Sequence, residues 1–149
     1  MITRNFSWAE MQASATARRK GFDNTIPASL RPNMINLCTN VLQPIRDAYG
    51  KPIIVGSGYR CPKLNKAVGG VSNSQHMTAS AADIHSLSDR LSDNRELWDI
   101  IITLANAGRI HCRQIIWEYG TLTGPDWIHI AINDAIHSHR ENQILTIER

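Results

Sequence analysis

The stretch SGYRCPKLNKAVGGVSNSQHMTASAADI, residues 57–84, contributes most to deciding the fold, because loops and short regular elements alternate along it. Its first residues are rich in turn formers, and a short helix is expected from Pro62 to Ala67. VGGVSNSQH is a second loop. The segment AADIHS at 81–86 then has the length and apolar content of a weak strand. This stretch therefore predicts a helix and a strand joined by a long polar loop.

The residues before this stretch predict helices. Ser7 followed by Glu10 has the form of a capping box, which indicates a short helix starting near residue 8. Apolar residues spaced three or four apart predict a longer helix over 29–48. Gly50 is its stop signal, and Pro44 should kink or divide it.

The remaining regular elements are mostly strands. PIIVG at 52–56 reads as a buried strand, and a second long helix is expected over 94–107. RQIIWEY at 113–119 and DWIHIAI at 126–132 read as two further strands joined by a turn. Helices concentrated early and strands concentrated late indicate an α+β fold, with helices packed on a small, largely antiparallel sheet. The sequence does not indicate the strand order.

Composition is that of an ordinary globular protein. The chain has 149 residues, 42% of them hydrophobic and 19% charged, so a single domain spanning 1–149 is expected. Its net charge is +3, but the basic residues are scattered apart from the cluster Arg18–Lys20. No stripe of arginine and aromatic residues accompanies that charge, so nucleic acid is not an expected partner. We expect a monomer.

Cysteine usage and hydropathy bear on the compartment. Cys38, Cys61 and Cys112 show no CxxC spacing, which argues against a disulfide framework and against a thiolate metal site. No stretch of about 18 apolar residues is present, and the first residues lack the apolar run of a signal peptide. We therefore expect synthesis in the cytoplasm and no membrane insertion.

Alternation along the strands brings out two polar residues. In DWIHIAI the three isoleucines share one face, which is the natural core face, and His129 lies on the other. In AADIHS, Asp83 is likewise opposite an apolar neighbour. An aspartate weakens a strand, so its position calls for a partner or a metal.

His76 precedes Asp83 by seven residues, at the end of a polar loop that could fold back over the strand. Two histidines and a carboxylate, with a fourth position left for water, form a standard catalytic zinc ligand set. Spacing alone leaves the alternative open, since a histidine at the surface or in a hydrogen bond is common.

The sequence around these residues is a more specific signal than their spacing. The stretch 57–84 resembles the SGYR(S/C)PxxNxxVGG and SxHxxGxAxDI signatures of the zinc D-alanyl-D-alanine carboxypeptidase family. That family includes phage endolysins that cut the L-alanyl-D-glutamate bond, and it shares its fold with the hedgehog signalling domain. Asp126 to His129 looks like the second family element, (D/E)WxH. The resemblance covers roughly residues 29–132.

The resemblance implies a zinc peptidase and assigns roles to particular residues. The implied metal ligands are His76, Asp83 and His129, the implied general base is Asp126, and Arg60 is the implied catalytic contact to substrate or transition state, with Ser74 as a secondary contact. By strand alternation Trp127 shares the face of His129, so it is expected to line the cleft and contact substrate. Glu118 is a second candidate base, although an exposed charge at a strand end is the favoured interpretation. His85 is a candidate neighbour of the metal, while His137 and His139 are expected to be solvated.

Two positions depart from the family pattern. Ala79 stands where a glycine is usual, which raises the question of how the turn is shaped. Gly124 stands where some members carry a further histidine, so a second transition-state donor is missing.

The expected function is hydrolysis of amide bonds in peptidoglycan peptide stems, as a D-Ala-D-Ala carboxypeptidase or an L-Ala-D-Glu endopeptidase. A phage or prophage endolysin, released to the cell wall by a lysis system, suits the lack of an export signal. Two alternatives stay open: a non-catalytic binding module that keeps the fold and metal, and a cytoplasmic D,D-dipeptidase.

Overall fold

The computed structural model describes residues 1–149 as helices packed on one five-stranded sheet. The helices are α1 (Trp8–Gln12), α2 (Ala15–Lys20), α3 (Arg31–Leu37), α4 (Gln43–Tyr49), α5 (Pro62–Ala67) and α6 (Leu91–Asn106). The strands are β1 (Ile53–Ser57), β2 (Ala81–Ser86), β3 (Gln114–Glu118), β4 (Trp127–Ala131) and β5 (Gln143–Ile147). The predicted α+β class is confirmed.

The sheet has the strand order β1-β2-β4-β3-β5. Neighbouring strands are antiparallel except for β3 and β5, which run parallel. The predicted largely antiparallel sheet is therefore confirmed, and β4 occupies its centre. None of the helices is both long enough and apolar enough to cross a membrane.

The long helix predicted over 29–48 forms as a continuous helical run, and its middle is widened. The turn Cys38–Leu42 is a π-helix, in which the N–H of Gln43 donates to the carbonyl of Cys38. Pro44 follows in the first turn of α4. A proline has no N–H and its ring crowds the carbonyl four residues back, so the wider turn accommodates the ring without ending the helix.

The core lies between the sheet and helices α3, α4 and α6. Ile128 and Ile130 of β4 are fully buried on this face, together with Ile84 of β2 and Leu97 of α6. Burying a side chain of this size contributes about 1.5–3 kcal/mol, so these residues fix which face of the sheet points inward. The expected core face of β4 is confirmed, and His129 lies on the opposite face.

Two elements were not predicted. Strand β5 is largely exposed, so its residues show no clear alternation between apolar and polar. Helix α2 buries only Ala17 and so carries no apolar stripe. Strand β5 is held by its pairing with β3, which periodicity cannot reveal, whereas α2 is marked only by its local caps, Ser14 and Gly21.

Candidate metal centre

Asp83 and His129 are cross-strand partners. The register of β2 against β4 pairs them directly, so both side chains emerge on the face away from the core. Asp83 Oδ1 lies 2.9 Å from His129 Nδ1. The side chains are only 14% and 13% exposed, which means that this polar pair is almost fully withdrawn from solvent.

His76 approaches the pair from a short 3-10 turn, Gln75–Thr78, that precedes β2. Ser74 caps this turn, because its Oγ accepts the backbone N–H of His76 at 3.2 Å. His76 Nδ1 lies 2.7 Å from the carbonyl oxygen of Gly58. A carbonyl only accepts, so Nδ1 carries the proton and Nε2 is free. That Nε2 lies 3.4 Å from Asp83 Oδ1.

These three side chains have the chemistry of a metal site. One ligand atom from each of His76, Asp83 and His129 lies within 4.8 Å of the others. Two imidazoles and one carboxylate are the donors zinc accepts when a fourth position is kept for water or substrate. The hydrogen bond from His76 to a backbone carbonyl is the support that metal-binding histidines usually have. The residues therefore fit a zinc ion.

The electrostatics keep Asp83 ionised. Burial raises the pKa of its carboxyl, but hydrogen bonds and charge from His129 and His76 outweigh burial and hold the pKa well below its usual range. Asp83 is thus already an anionic ligand at neutral pH.

A buried aspartate supports the turn that carries His76. Asp134 Oδ2 accepts hydrogen bonds from Thr78 Oγ1 and Ser80 Oγ, both at 2.8 Å. Its Oδ1 accepts the backbone N–H of His137 at 2.8 Å. Burial raises the pKa of Asp134, but these hydrogen bonds lower it by more. The sequence offered no signal for this network, because Asp134 follows Ser80 by 54 residues.

The predicted solvated state of His137 is wrong. Its side chain is only 9% exposed, and its Nδ1 lies 2.9 Å from Asp134 Oδ2. Its Nε2 lies 2.7 Å from the carbonyl oxygen of Asn73, at the start of the His76 turn. His137 therefore ties the chain after β4 to this turn.

Arg60 lies beside the metal ligands. Its Nη2 is 3.5 Å from Asp83 Oδ2, and its Nε donates to Ser57 Oγ at 3.0 Å. Its backbone N–H donates to the carbonyl of His76 at 3.1 Å. The guanidinium is 18% exposed, so it is held in place and still reaches the solvent side of the site.

Asp126 and Trp127 line a cleft of about 490 Å³ that also exposes Asp83. Asp126 Oδ2 pairs with Arg149 Nη2 at 3.1 Å. His85 lines the same cleft, but its Nδ1 lies 2.7 Å from the carbonyl oxygen of Ser86. His85 is outside the group of three ligands, whereas Asp126 borders the cleft.

Glu118 lies on the same face as the ligands. Its Oε2 accepts a hydrogen bond from Trp127 Nε1 at 2.7 Å. Burial raises the pKa of the Glu118 carboxyl, the charge of Asp83 raises it further, and His129 and His76 lower it. The Glu118 side chain is half-buried and hydrogen-bonded to Trp127, so the expected exposed charge at the strand end is wrong.

The structure accounts for the two departures from the family pattern, at Ala79 and Gly124. Ala79 itself adopts the left-handed conformation, with φ 57° and ψ 31°, so the turn keeps the shape that glycine would allow. At Gly124, an added Cβ would lie 1.7 Å from the carbonyl oxygen of Leu91 at the start of α6. The close packing of α6 thus excludes any side chain at position 124.

Comparison with known proteins identifies two similarities. The family model described as Peptidase M15 matches residues 4–131. An 81-residue segment is 38% identical to the "Zinc D-Ala-D-Ala carboxypeptidase" of Streptomyces albus G, and it covers 54% of this chain and 31% of that relative. The chain thus matches about a third of the length of this curated relative.

Proposed function

The chain belongs to the peptidase M15 family, and we propose that it is a zinc metallopeptidase that hydrolyses amide bonds in the peptide stems of peptidoglycan. The observation that supports this most directly is the meeting of His76, Asp83 and His129 within 4.8 Å beside a cleft. Three protein ligands and an accessible fourth position suit a catalytic site better than a structural one. This argues against the alternative of a non-catalytic module.

The metal and the protein divide the chemistry. Zinc, when bound by His76, Asp83 and His129, supplies Lewis acidity for the attacking water and the scissile carbonyl. Arg60 supplies fixed donors at the edge of the site. Because its guanidinium is oriented by Ser57 and Asp83, it can hold a substrate carboxylate or the oxyanion that develops during attack.

Ser74 and Trp127 are proposed substrate contacts. Ser74 Oγ accepts the His76 N–H and the residue is only 9% exposed, so its first role is to position His76, and a substrate oxygen would have to enter the His76 turn to receive its O–H proton. Trp127 is half-buried in the cleft wall, where its ring offers an apolar surface to a stem side chain.

Asp126 is the catalytic carboxylate indicated by the family pattern. It borders the cleft, where it can act on the attacking water or receive the amine that leaves. Its partner Arg149 has a side chain that is 71% exposed. An exposed pair of this kind contributes about 0–1 kcal/mol, so a substrate can displace Arg149 at small expense.

Both stem bonds considered above suit Arg60. A terminal D-alanine carries a free carboxylate next to the scissile amide. A γ-linked D-glutamate also keeps its α-carboxylate free, next to the L-alanyl bond. The guanidinium therefore favours either carboxypeptidase or endopeptidase action over cleavage of a bond without a neighbouring carboxylate. Action as a phage endolysin, or on free D,D-dipeptides in the cytoplasm, would use the same contact.

Mass spectrometry of muropeptides after incubation with the zinc-loaded protein tests this proposal. Loss of a terminal D-alanine identifies a carboxypeptidase, and separation of L-alanine from D-glutamate identifies an endopeptidase. The variant His76→Ala is the control, because it removes one ligand and should abolish either product. Release of reducing sugar ends would contradict the proposal, since it requires glycosidase chemistry.

A further inference from the structure

A second cavity adjoins the cleft at the metal centre. It measures about 660 Å³, and its wall includes Tyr119, Leu122, Glu148 and Arg149. We call it the Arg149 cavity. It meets the cleft at one ion pair, because Arg149 lines the cavity and its partner Asp126 lines the cleft.

Tyr119 gives the Arg149 cavity a fixed wall. Its φ of 58° lies in the left-handed region, and two hydrogen bonds hold the backbone there. Its N–H donates to the carbonyl of Ile147 at 2.8 Å, and its carbonyl accepts the Trp117 Nε1–H at 3.0 Å. The ring packs edge to face against Trp127 of the cleft wall, with 5.1 Å between the ring centroids. A non-glycine residue keeps such a conformation only where its surroundings impose it, which is common at binding sites.

Arg149 is held between the Tyr119 ring and Asp126. Its guanidinium carbon lies 4.6 Å from the ring centroid, in a cation–π contact, and its Nη2 is 3.1 Å from Asp126 Oδ2. A guanidinium has five N–H donors, so the pair with Asp126 leaves donors for a second anion. Because the Arg149 side chain is largely exposed, an anion from solvent can reach these donors.

Arg149 is too far from the metal ligands to bind the same carboxylate as Arg60. Arg60 contacts Asp83, which is paired with His129. Asp126, the partner of Arg149, precedes His129 by three residues, or about 10 Å along a strand. Arg60 follows β1 and Arg149 follows β5, which are the two edge strands of the sheet. The two guanidiniums therefore approach the cleft from opposite sides and suit two different carboxylates.

We propose that the Arg149 cavity is a substrate subsite, and that it binds a stem side chain ending in a carboxylate. This inference rests on the proposed peptidase function. The apolar surfaces of Tyr119 and Leu122 suit an alkyl chain, and Arg149 suits its charged end. The exposed pair of Arg149 with Asp126 is weak, so the stem carboxylate can take the place of Asp126 at the guanidinium. Glu148 lines the same cavity and favours an ammonium group beside that carboxylate.

Two synthetic stems that differ by one carboxylate test the proposal. One carries meso-diaminopimelate at its third position. The other carries lysine, which has the same ammonium-bearing chain without the carboxylate. The zinc-loaded protein should cleave the first stem with a KM about tenfold lower and a similar kcat, because the contact is made in the bound substrate and in the transition state alike. A third stem, in which this carboxylate is amidated, keeps the shape and should behave like the lysine stem.

Variants of Arg149 show whether this residue causes the preference. In Arg149→Gln the ratio of the two KM values should fall from about tenfold to about one. Any effect of the substitution on Asp126 acts on both stems and cancels in this ratio. Arg149→Lys keeps the charge without the planar fork, so it should retain part of the preference. The matched control is Arg4→Gln, because Arg4 is 73% exposed, pairs with Asp47 and lines neither cavity. This control should keep the full ratio.

The outcomes separate this inference from the proposed function. An active wild-type protein with equal KM values for the diaminopimelate and lysine stems overturns the subsite alone. An undiminished KM ratio in Arg149→Gln, or a preference that appears in kcat and not in KM, also overturns it. A wild-type protein that is inactive on all three stems overturns the proposed function and the inference together. If Arg149→Gln does not fold, Arg149→Lys and the amidated stem decide the question.

Discussion

At the scale of single residues, the effect of a substitution at Ala79 on stability is the sum of small contributions of opposite sign. The residue is fully buried and has φ 57°. A left-handed conformation costs a non-glycine residue about 1–2 kcal/mol, which Ala79→Gly would relieve. The same change lowers stability in two ways. It removes a buried methyl group, which costs about 0.8 kcal/mol, and it raises the entropy of the unfolded chain, which costs about 0.4–1 kcal/mol. The free energy of unfolding should therefore change by less than about 1 kcal/mol.

The contrasting variant is Ala79→Val. A β-branched side chain at this φ combines backbone strain with overpacking, and it should destabilise by about 3 kcal/mol or more. Urea unfolding of both variants measures the difference. A strongly destabilised Ala79→Gly, or a Val variant as stable as wild type, would refute this account of the turn.

Some residues of the site could be predicted from sequence and others could not. His129 and Asp83 were predictable because strand alternation is local, and two neighbours suffice to show which face a residue occupies. The family signatures added His76. The carbonyl of Gly58 and the carboxylate of Asp134 were not predictable, because backbone groups and long-range contacts leave no pattern in the chain.

At the scale of elements, the turn carrying His76 depends on Asp134. Replacing Asp134 by Asn keeps the size but removes the charge that strengthens its hydrogen bonds to Thr78 and Ser80. Hydrogen bonds to charged groups contribute about 1.5–3 kcal/mol. The free energy of unfolding of Asp134→Asn at pH 7 should therefore be roughly 2 kcal/mol lower than that of the wild type.

The pH dependence of this difference has a definite sign. The folded state lowers the pKa of Asp134, so its contribution is complete above the unfolded pKa of about 3.9 and is lost as pH falls through the folded value. Denaturant unfolding at pH 7 and at successively lower pH should show the two proteins converging below about pH 4. If the difference in free energy of unfolding between the two proteins grew as the pH fell, the Asp134 charge could not be its cause.

Elements with a local signal were predicted best. Helix α5 and strand β2 have the expected bounds, because proline marks the helix start and alternation marks the strand. Helix α6 begins at Leu91, three residues before the expected start at 94, since its N-cap Arg90 makes no side-chain capping hydrogen bond. Without a capping residue, the sequence gives no signal for where this helix begins.

At the scale of the whole molecule, metal binding should raise stability, because the ligands come from β2, β4 and a separate turn. A ligand present at about 1,000 times its Kd adds roughly 4 kcal/mol, which for a chain of this size corresponds to roughly 10 °C in Tm. His129→Ala should remove most of the zinc-dependent rise. Differential scanning calorimetry with and without zinc measures it.

The control for this measurement is His85→Ala. His85 lies on the same strand face as Asp83 but is turned toward Ser86 and Asp89. Its removal should leave the zinc-dependent rise in Tm intact. Equal rises in His129→Ala and wild type would instead show that zinc acts elsewhere on the protein.

The central place of β4 in the sheet also governs when the site can exist during translation. His76 and Asp83 leave the ribosome close together, but His129 follows Asp83 by 46 residues, after α6 and β3. In the folded chain β4 pairs with β2 on one side and with β3 on the other, so the third ligand is in place only once β4 has paired with β2. A nascent chain halted before that point carries two ligands and no site. Fragments released by stalled synthesis would therefore lack the third ligand, and the proposed peptidase activity requires a chain translated through β4.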